Sequence, residues 1–249
     1  MRFDYMGARG GLHCLEALNC LAPDLVEDGC GSEGRAFNFY FEFTEGVWRR
    51  AEAFELIDVM SGRAVGRDDV MAGVWDDDVS DQTNKMVGGG TSKSGRHGLL
   101  VMFICVHCPY VKHVEQELAR IGRDYAGKIA IVAISSNDAE AYPEDGPEEM
   151  KKQAERLGFN FPYLYDKTQE VAISYHAACT PDFFLYDAEM KLVYRGQLDD
   201  SRPQRPSGGG NDIPVTGKDL RAAMDAVIAG KRPDPNQKQS VGCNIKWRE

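Results

Sequence analysis

An α/β fold with a central mixed β-sheet flanked by helices follows from three observations on the sequence. Short continuous apolar runs at residues 99–104 and 129–134 read as strands buried on both faces of a sheet. Segments with helical spacing alternate with them. The alternation closes in a hydrophobic hairpin, residues 183–186 and 192–194 around a turn at 187–190, which adds antiparallel strands to the sheet.

The elements follow in chain order. Residues 1–52 read as an N-terminal extension, where Cys14, Cys20 and Cys30 match no metal-ligand spacing. Phe37, Phe39, Phe41 and Phe43 alternate with Asn38, Tyr40 and Glu42, the period-two pattern of a half-buried strand; a ligand-stacking surface is the sharper alternative. Residues 54–60 read as a strand that Ser61-Gly62 turns toward Ala64 and Val65. A Gly-rich insertion at about 74–97 carries Asp76-Asp77-Asp78 and Gly88-Gly89-Gly90. That glycine run lacks the preceding strand and the Lys-Ser/Thr ending of a phosphate-binding loop.

After the strand at 99–104, Val111, Val114, Leu118 and Ile121 recur at helical spacing, with Gly122 as the expected stop. A second strand at 129–134 is followed by a helix that Pro147 opens, with Met150, Ala154 and Leu157 on one face before Gly158. Residues 161–164 read as a short strand and 169–176 as a short helix. The last helix has a capping box, Thr216-x-x-Asp219, and carries Leu220, Met224, Val227 and Ile228 on one face up to Gly230. The main domain therefore spans 53–232, and 233–249 is a polar C-terminal tail.

Composition bounds the function. The 249 residues are 43% hydrophobic, enough for one large domain, and the net charge is −10. With no block of Lys and Arg, affinity for nucleic acid or an anionic membrane surface is not expected. No apolar stretch spans a bilayer, and Asp4 and Glu16 interrupt any secretory pattern at the start, so a cytoplasmic location is expected. Seven cysteines is an odd number, and in a reducing compartment disulfides are usually transient and catalytic.

The chemistry concentrates at Cys105-Val106-His107-Cys108-Pro109, where a strand ends and a helix begins. Pro109 suits the first helical position, which makes Cys108 the N-cap. A thiolate there faces unpaired N–H groups and the positive end of the helix dipole, which lower its pKa. A protonated His107 adds to that effect. Cys108 is then the nucleophile and Cys105 its disulfide partner. Two alternatives stand beside this redox pair: half of a zinc site, completed from Cys179, Cys243, His107 and His113, or two inert core cysteines. No cofactor is expected, and no metal on the leading reading.

Strand, Cys-x-x-Cys, helix, and much later Cys179-Thr180-Pro181-Asp182-Phe183-Phe184-Leu185 leading into a hairpin resemble the thioredoxin-like fold and its cis-proline segment. Residues 103–112 (Phe-Ile-Cys-Val-His-Cys-Pro-Tyr-Val-Lys), 194–203 and 240–247 are similar to the peroxiredoxin-like branch of the AhpC/TSA redoxin family. The resemblance covers roughly residues 53–248. It implies cell redox homeostasis, antioxidant activity, and partners that are a disulfide-bearing protein or small molecule and a thiol reductant. It also implies that Pro181 is cis and that a substrate backbone pairs beside Thr180. In register with true peroxiredoxins, Cys108-Pro109 falls on the peroxidatic cysteine and its proline. Cys105 then falls where they carry Thr or Ser, and their catalytic Arg falls near Pro181, so two peroxide-activating groups are missing. Relative to a thioredoxin pair, the thiols sit one helical turn upstream, with Val111 at the second cysteine position.

The leading expectation is therefore a thiol–disulfide oxidoreductase. The alternatives are a thiol-dependent peroxidase, or a non-catalytic thioredoxin-fold binding or zinc module. Cys179 is either an additional resolving thiol or a small buried filler. Cys243 is either a resolving thiol, as C-terminal cysteines are in some peroxiredoxins, or an unreactive tail cysteine. Arg195 and Arg202, flanking Asp199-Asp200, are expected to pair locally.

Overall fold

A strand apolar at every position must be covered on both sides, and the two such strands of this chain lie at the centre of the sheet. The computed structural model describes residues 50–73, 95–206 and 208–249. The aromatic alternation at 37–43 and most of the Gly-rich insertion lie outside them.

The strands are β1 (Glu55–Asp58), β2 (Ala64–Gly66), β3 (Gly98–Phe103), β4 (Ala130–Ser135), β5 (Tyr163–Tyr165), β6 (Cys179–Thr180), β7 (Asp182–Asp187), β8 (Leu192–Gly196) and β9 (Cys243–Asn244). The helices are α1 (Arg67–Ala72), α2 (Pro109–Asp124), α3 (Pro147–Leu157), α4 (Glu170–Tyr175) and α5 (Lys218–Ile228). Seven strands form one mixed sheet in the order β2-β1-β5-β4-β3-β7-β8, with β3, β4 and β5 parallel and the other pairings antiparallel. The remaining two, β6 and β9, pair with each other.

Alternation along β3 feeds two cores. Leu100 and Met102, with Ile104, join Val111, Val114, Leu118 and Ile121 of α2, Met150 and Ala154 of α3, and Leu220 and Met224 of α5. Leu99, Val101 and Phe103 join Val70 of α1 and Val171, Ala172 and Tyr175 of α4. Helices thus cover both faces, as the fold class requires. Each fully buried Val, Leu or Ile here contributes about 1.5–3 kcal/mol. Gly98 opens β3 because a Cβ there would sit 2.3 Å from the Tyr186 carbonyl oxygen across the ladder.

Three expectations need correction. Gly122 does not stop α2, which runs on to Asp124; the glycine allows close packing, since its Cβ would lie 2.8 Å from the Phe161 ring. The capping box at Thr216 does not form. Gly217, at φ 67°, is the N-cap of α5, and the backbone N–H groups of Thr216 and Gly217 both donate to Asp199 Oδ2 at 2.7 Å. A carboxylate from another loop does what the local side chain was expected to do.

The polar tail is part of the folded body. Arg195 N donates to Gln237 Oε1 and Gln197 N to Lys238 O, both at 2.9 Å, so the tail covers the outer edge of β8. It continues to β9, where Cys179 pairs with Asn244 and Thr180 with Cys243. Ile245 is buried behind it. No helix of the described residues is long and apolar enough to cross a membrane.

Candidate active site

The strand-to-helix turn after β3 places both thiols as the local sequence demands. Pro109 is the first residue of α2 and Cys108 is its N-cap. The thiols of Cys105 and Cys108 are free and almost wholly buried, at 1% and 0% exposure. Facing them is the Thr180–Pro181 bond, which is cis. Cys105 Sγ lies 3.3 Å from Thr180 Oγ1, and Cys108 Sγ lies 3.2 Å from the Thr180 carbonyl oxygen.

The two sulfurs share one proton unequally. The Cys105 thiol donates to Cys108, whose pKa is driven down by that bond, by Cys243, and by the Val111 N–H of the first helical turn, against the opposing effect of burial. Cys105 is driven up by the same bond, by burial and by the Asp145 charge, with the Thr180 hydroxyl opposing. The proton therefore stays on Cys105 and the negative charge on Cys108, the assignment the N-cap position favours.

The loop between the thiols is held by a residue that sequence reading missed. Asp145, in the 3-10 turn Pro143–Asp145, is fully buried. Its Oδ1 accepts from Val106 N at 2.8 Å and His107 N at 2.9 Å, and its Oδ2 accepts from Asn137 Nδ2 at 2.7 Å. The His107 ring bonds the same Oδ2 through Nδ1 and stacks on Tyr142 with centroids 5.9 Å apart. His107 is thus committed to Asp145 rather than aimed at Cys108. The network reaches the tail, because Asn137 Oδ1 accepts from Lys246 N at 2.9 Å and Asp138 N donates to Lys246 O at 2.9 Å. The only local cue was the acidic residue beside Gly146-Pro147, a common helix-start pattern that says nothing about a partner 38 residues away.

Cys243 stands beside the thiols. Its pairing with Thr180 brings it against Cys108, where both its sulfur and its backbone N–H favour the Cys108 thiolate. It is the half-exposed thiol of the group. Cys179 is buried with its sulfur 3.6 Å from Pro181 O, and burial and the Asp182 charge push its pKa well above the thiol range. That environment suits packing rather than exchange.

Cys105, His107 and Asp145 bring one sulfur, one nitrogen and one oxygen within 4.8 Å of one another, the donor types of a zinc site. Both Asp145 oxygens already accept N–H bonds, and the group has three donors where a structural zinc takes four. The fit is poor. His113, the fourth candidate considered for zinc, lies outside this cluster, on a small cavity lined also by Tyr110, Asp199 and Arg202. Arg202 pairs locally as expected, donating to Asp199 O and Ser201 O, whereas Arg195 pairs with Asp182 at 3.2 Å on the neighbouring strand rather than with Asp199-Asp200.

Comparison with known proteins places this arrangement. An uncharacterized conserved protein from Geobacillus kaustophilus is 48% identical, over 82% of this chain and 93% of that one, with a TM-score of 0.68. A hypothetical protein from Sinorhizobium meliloti 1021 is 42% identical over 82% of this chain and 95% of its own, also with a TM-score of 0.68. The thioredoxin domain of a thiol-disulfide oxidoreductase from Bacteroides vulgatus is 19% identical over 60% of this chain and 87% of that one, with a TM-score of 0.43. No curated protein sequence matches the chain. The AhpC/TSA family model matches residues 81–195, a span that includes β3, both thiols and the cis-proline segment. With its mixed sheet, Cys-x-x-Cys turn and facing cis-proline, the chain has the thioredoxin-like fold and carries an AhpC/TSA family domain over residues 81–195.

Proposed function

We propose that the protein is a thiol–disulfide oxidoreductase in which Cys108 attacks and Cys105 resolves. The observation that carries this reading is geometric: Cys108 caps the N-terminus of α2, with Cys105 three residues before it and the cis Thr180–Pro181 bond facing both sulfurs at 3.2–3.3 Å. In the first step the Cys108 thiolate attacks one sulfur of a substrate disulfide. The other sulfur leaves as a thiolate, and Cys108 becomes a mixed disulfide.

That step changes Cys105. Its proton was held chiefly by the bond to the Cys108 sulfur, and a disulfide sulfur is a far weaker acceptor. The departing substrate thiolate takes the proton, while the Thr180 hydroxyl at 3.3 Å steadies the new Cys105 thiolate. Cys105 then attacks the Cys108 sulfur, closing the Cys105–Cys108 disulfide and releasing the second substrate thiol. One substrate disulfide has been reduced to two thiols, and a thiol reductant restores the pair. Cys108 is a good leaving group in that return step because its thiolate is stabilised.

The test compares reduction of insulin disulfides with peroxide consumption, both driven by dithiothreitol, for wild type and Cys108→Ser. Insulin reduction that disappears in Cys108→Ser supports the reading. Peroxide turnover without insulin reduction overturns it in favour of a peroxidase. In Cys105→Ser, the substrate trapped on Cys108 identifies the partner by mass spectrometry.

A further inference from the structure

Neither sulfur of the proposed pair reaches the surface: Cys105 is 1% exposed and Cys108 0%. What lies against them is the chain's own strand β9. Its antiparallel pairing with β6 is the geometry by which an extended peptide adds to an exposed strand, with main-chain bonds giving affinity and a side chain set by register giving specificity. The register is specific here. Cys243 is opposite Thr180, the residue whose hydroxyl meets Cys105 and whose carbonyl meets Cys108.

Glycine precedes it for a steric reason. A Cβ on Gly242 would lie 2.1 Å from the Thr180 carbonyl oxygen and 3.1 Å from Pro181 N, so only glycine lets the strand approach this closely. Residues on both sides anchor the strand. Ser240 Oγ donates to Gly196 O at 2.7 Å, and Lys246 is tied to Asn137 and Asp138 at 2.9 Å.

We infer that Cys243, seated opposite Thr180 by the β6–β9 pairing, is a third redox thiol that exchanges with Cys108. The inference rests on Cys108 being the nucleophile, as proposed above. With a small disulfide as oxidant, the Cys108 thiolate attacks it to give a mixed disulfide and one released thiolate. Cys243 yields its proton to that thiolate and attacks the Cys108 sulfur. A Cys108–Cys243 disulfide forms, and the second half of the oxidant leaves as a thiolate. Cys108 and Cys243 together lose two electrons, and the oxidant gains two.

The probe is oxidised glutathione, applied to the full-length reduced protein in the Cys105→Ser background, followed by tryptic mapping. The expected product links peptide 97–112, which holds Cys108, to peptide 239–246, which holds Cys243. Adding Gly242→Ala should abolish that link and leave glutathione on Cys108. In the otherwise wild-type protein, Gly242→Ala should raise Cys108 alkylation by iodoacetamide about tenfold, because the clash favours local opening of β9. A stable Cys108–glutathione adduct with Cys243 still free in Cys105→Ser overturns the inference. Cys243→Ser reads the proposed function separately: if it forms no Cys105–Cys108 disulfide with the same probe, that reading fails whatever Cys243 does.

Discussion

Asp145 gives the sharpest test of how the thiol loop is held. Asp145→Ala strands the Val106 and His107 backbone N–H groups, 2.8 and 2.9 Å from Oδ1, and the Asn137 amide, 2.7 Å from Oδ2. A buried donor left without an acceptor costs about 1–3 kcal/mol. His107 is part-exposed, so water can reach one of these donors, and the expected loss is about 3–5 kcal/mol. With a urea m-value of about 2–3 kcal/mol/M, the unfolding midpoint should fall by roughly 1.5 M. Asp145→Asn separates the two halves of the site. Its remaining oxygen still serves the two backbone N–H groups, but its NH₂ faces the Asn137 NH₂, which cannot flip without releasing Lys246 N. It should therefore lose only about 1–3 kcal/mol, roughly one unsatisfied pair. A loss below about 1 kcal/mol for Asp145→Ala, or equal losses for both variants, would refute the claim that this carboxylate holds the loop by its hydrogen bonds.

Three further outcomes follow from the same geometry. Because Cys108 is held below the ordinary thiol range, its alkylation should persist as pH falls through the region where a free thiol stops reacting. Cys105→Ala removes the hydrogen bond that lowers the Cys108 pKa most, so the midpoint of its alkylation profile should move to higher pH; superimposable pH profiles would refute the shared proton. Arg195→Met leaves the buried Asp182 carboxylate without its ion pair, an expected loss of about 3–5 kcal/mol near pH 7. Burial already raises the Asp182 pKa, so the stability this group contributes is full below its unfolded value and is lost as pH rises through the folded one. The penalty in the variant should accordingly grow between pH 4.5 and 7.5, and equal urea-midpoint losses at both would contradict the assignment. Gly98→Ala drives a methyl into the Tyr186 carbonyl and should cost about 1–3 kcal/mol, a fall in Tm of roughly 2–12 °C; an unchanged melting curve would show that the β3–β7 ladder can yield.

How much of this was legible in the sequence depended on how local the cause was. Strands β3 and β4 could be read directly, because residues covered on both faces are apolar without interruption. The Cys108 N-cap was equally readable, since Pro109 is adjacent and its effect is confined to one turn. The start of α5 was misread because the acceptor for Thr216 and Gly217 is Asp199, on a loop 17 and 18 residues away. Asp145 was invisible for a similar reason: its partners Val106 and His107 come from the other side of β4. The tail misled most. A two-residue strand carries no periodicity, and Gly242-Cys243-Asn244 looks like a turn until Thr180 is brought opposite it.

The same tail segment that ends at the thiols first runs along β8, where Gln237 and Lys238 occupy the hydrogen-bonding groups of the outermost strand. An uncovered outer strand invites a second molecule to add to the sheet, the route by which β-proteins coagulate. Any release of Cys243 from Cys108 therefore has to hinge downstream of Ser240, whose hydroxyl grips Gly196. Peeling that went further back would trade access to sulfur for intermolecular stacking, so exposure of the Cys108 sulfur and protection of the sheet edge draw opposite limits on how far this strap can lift.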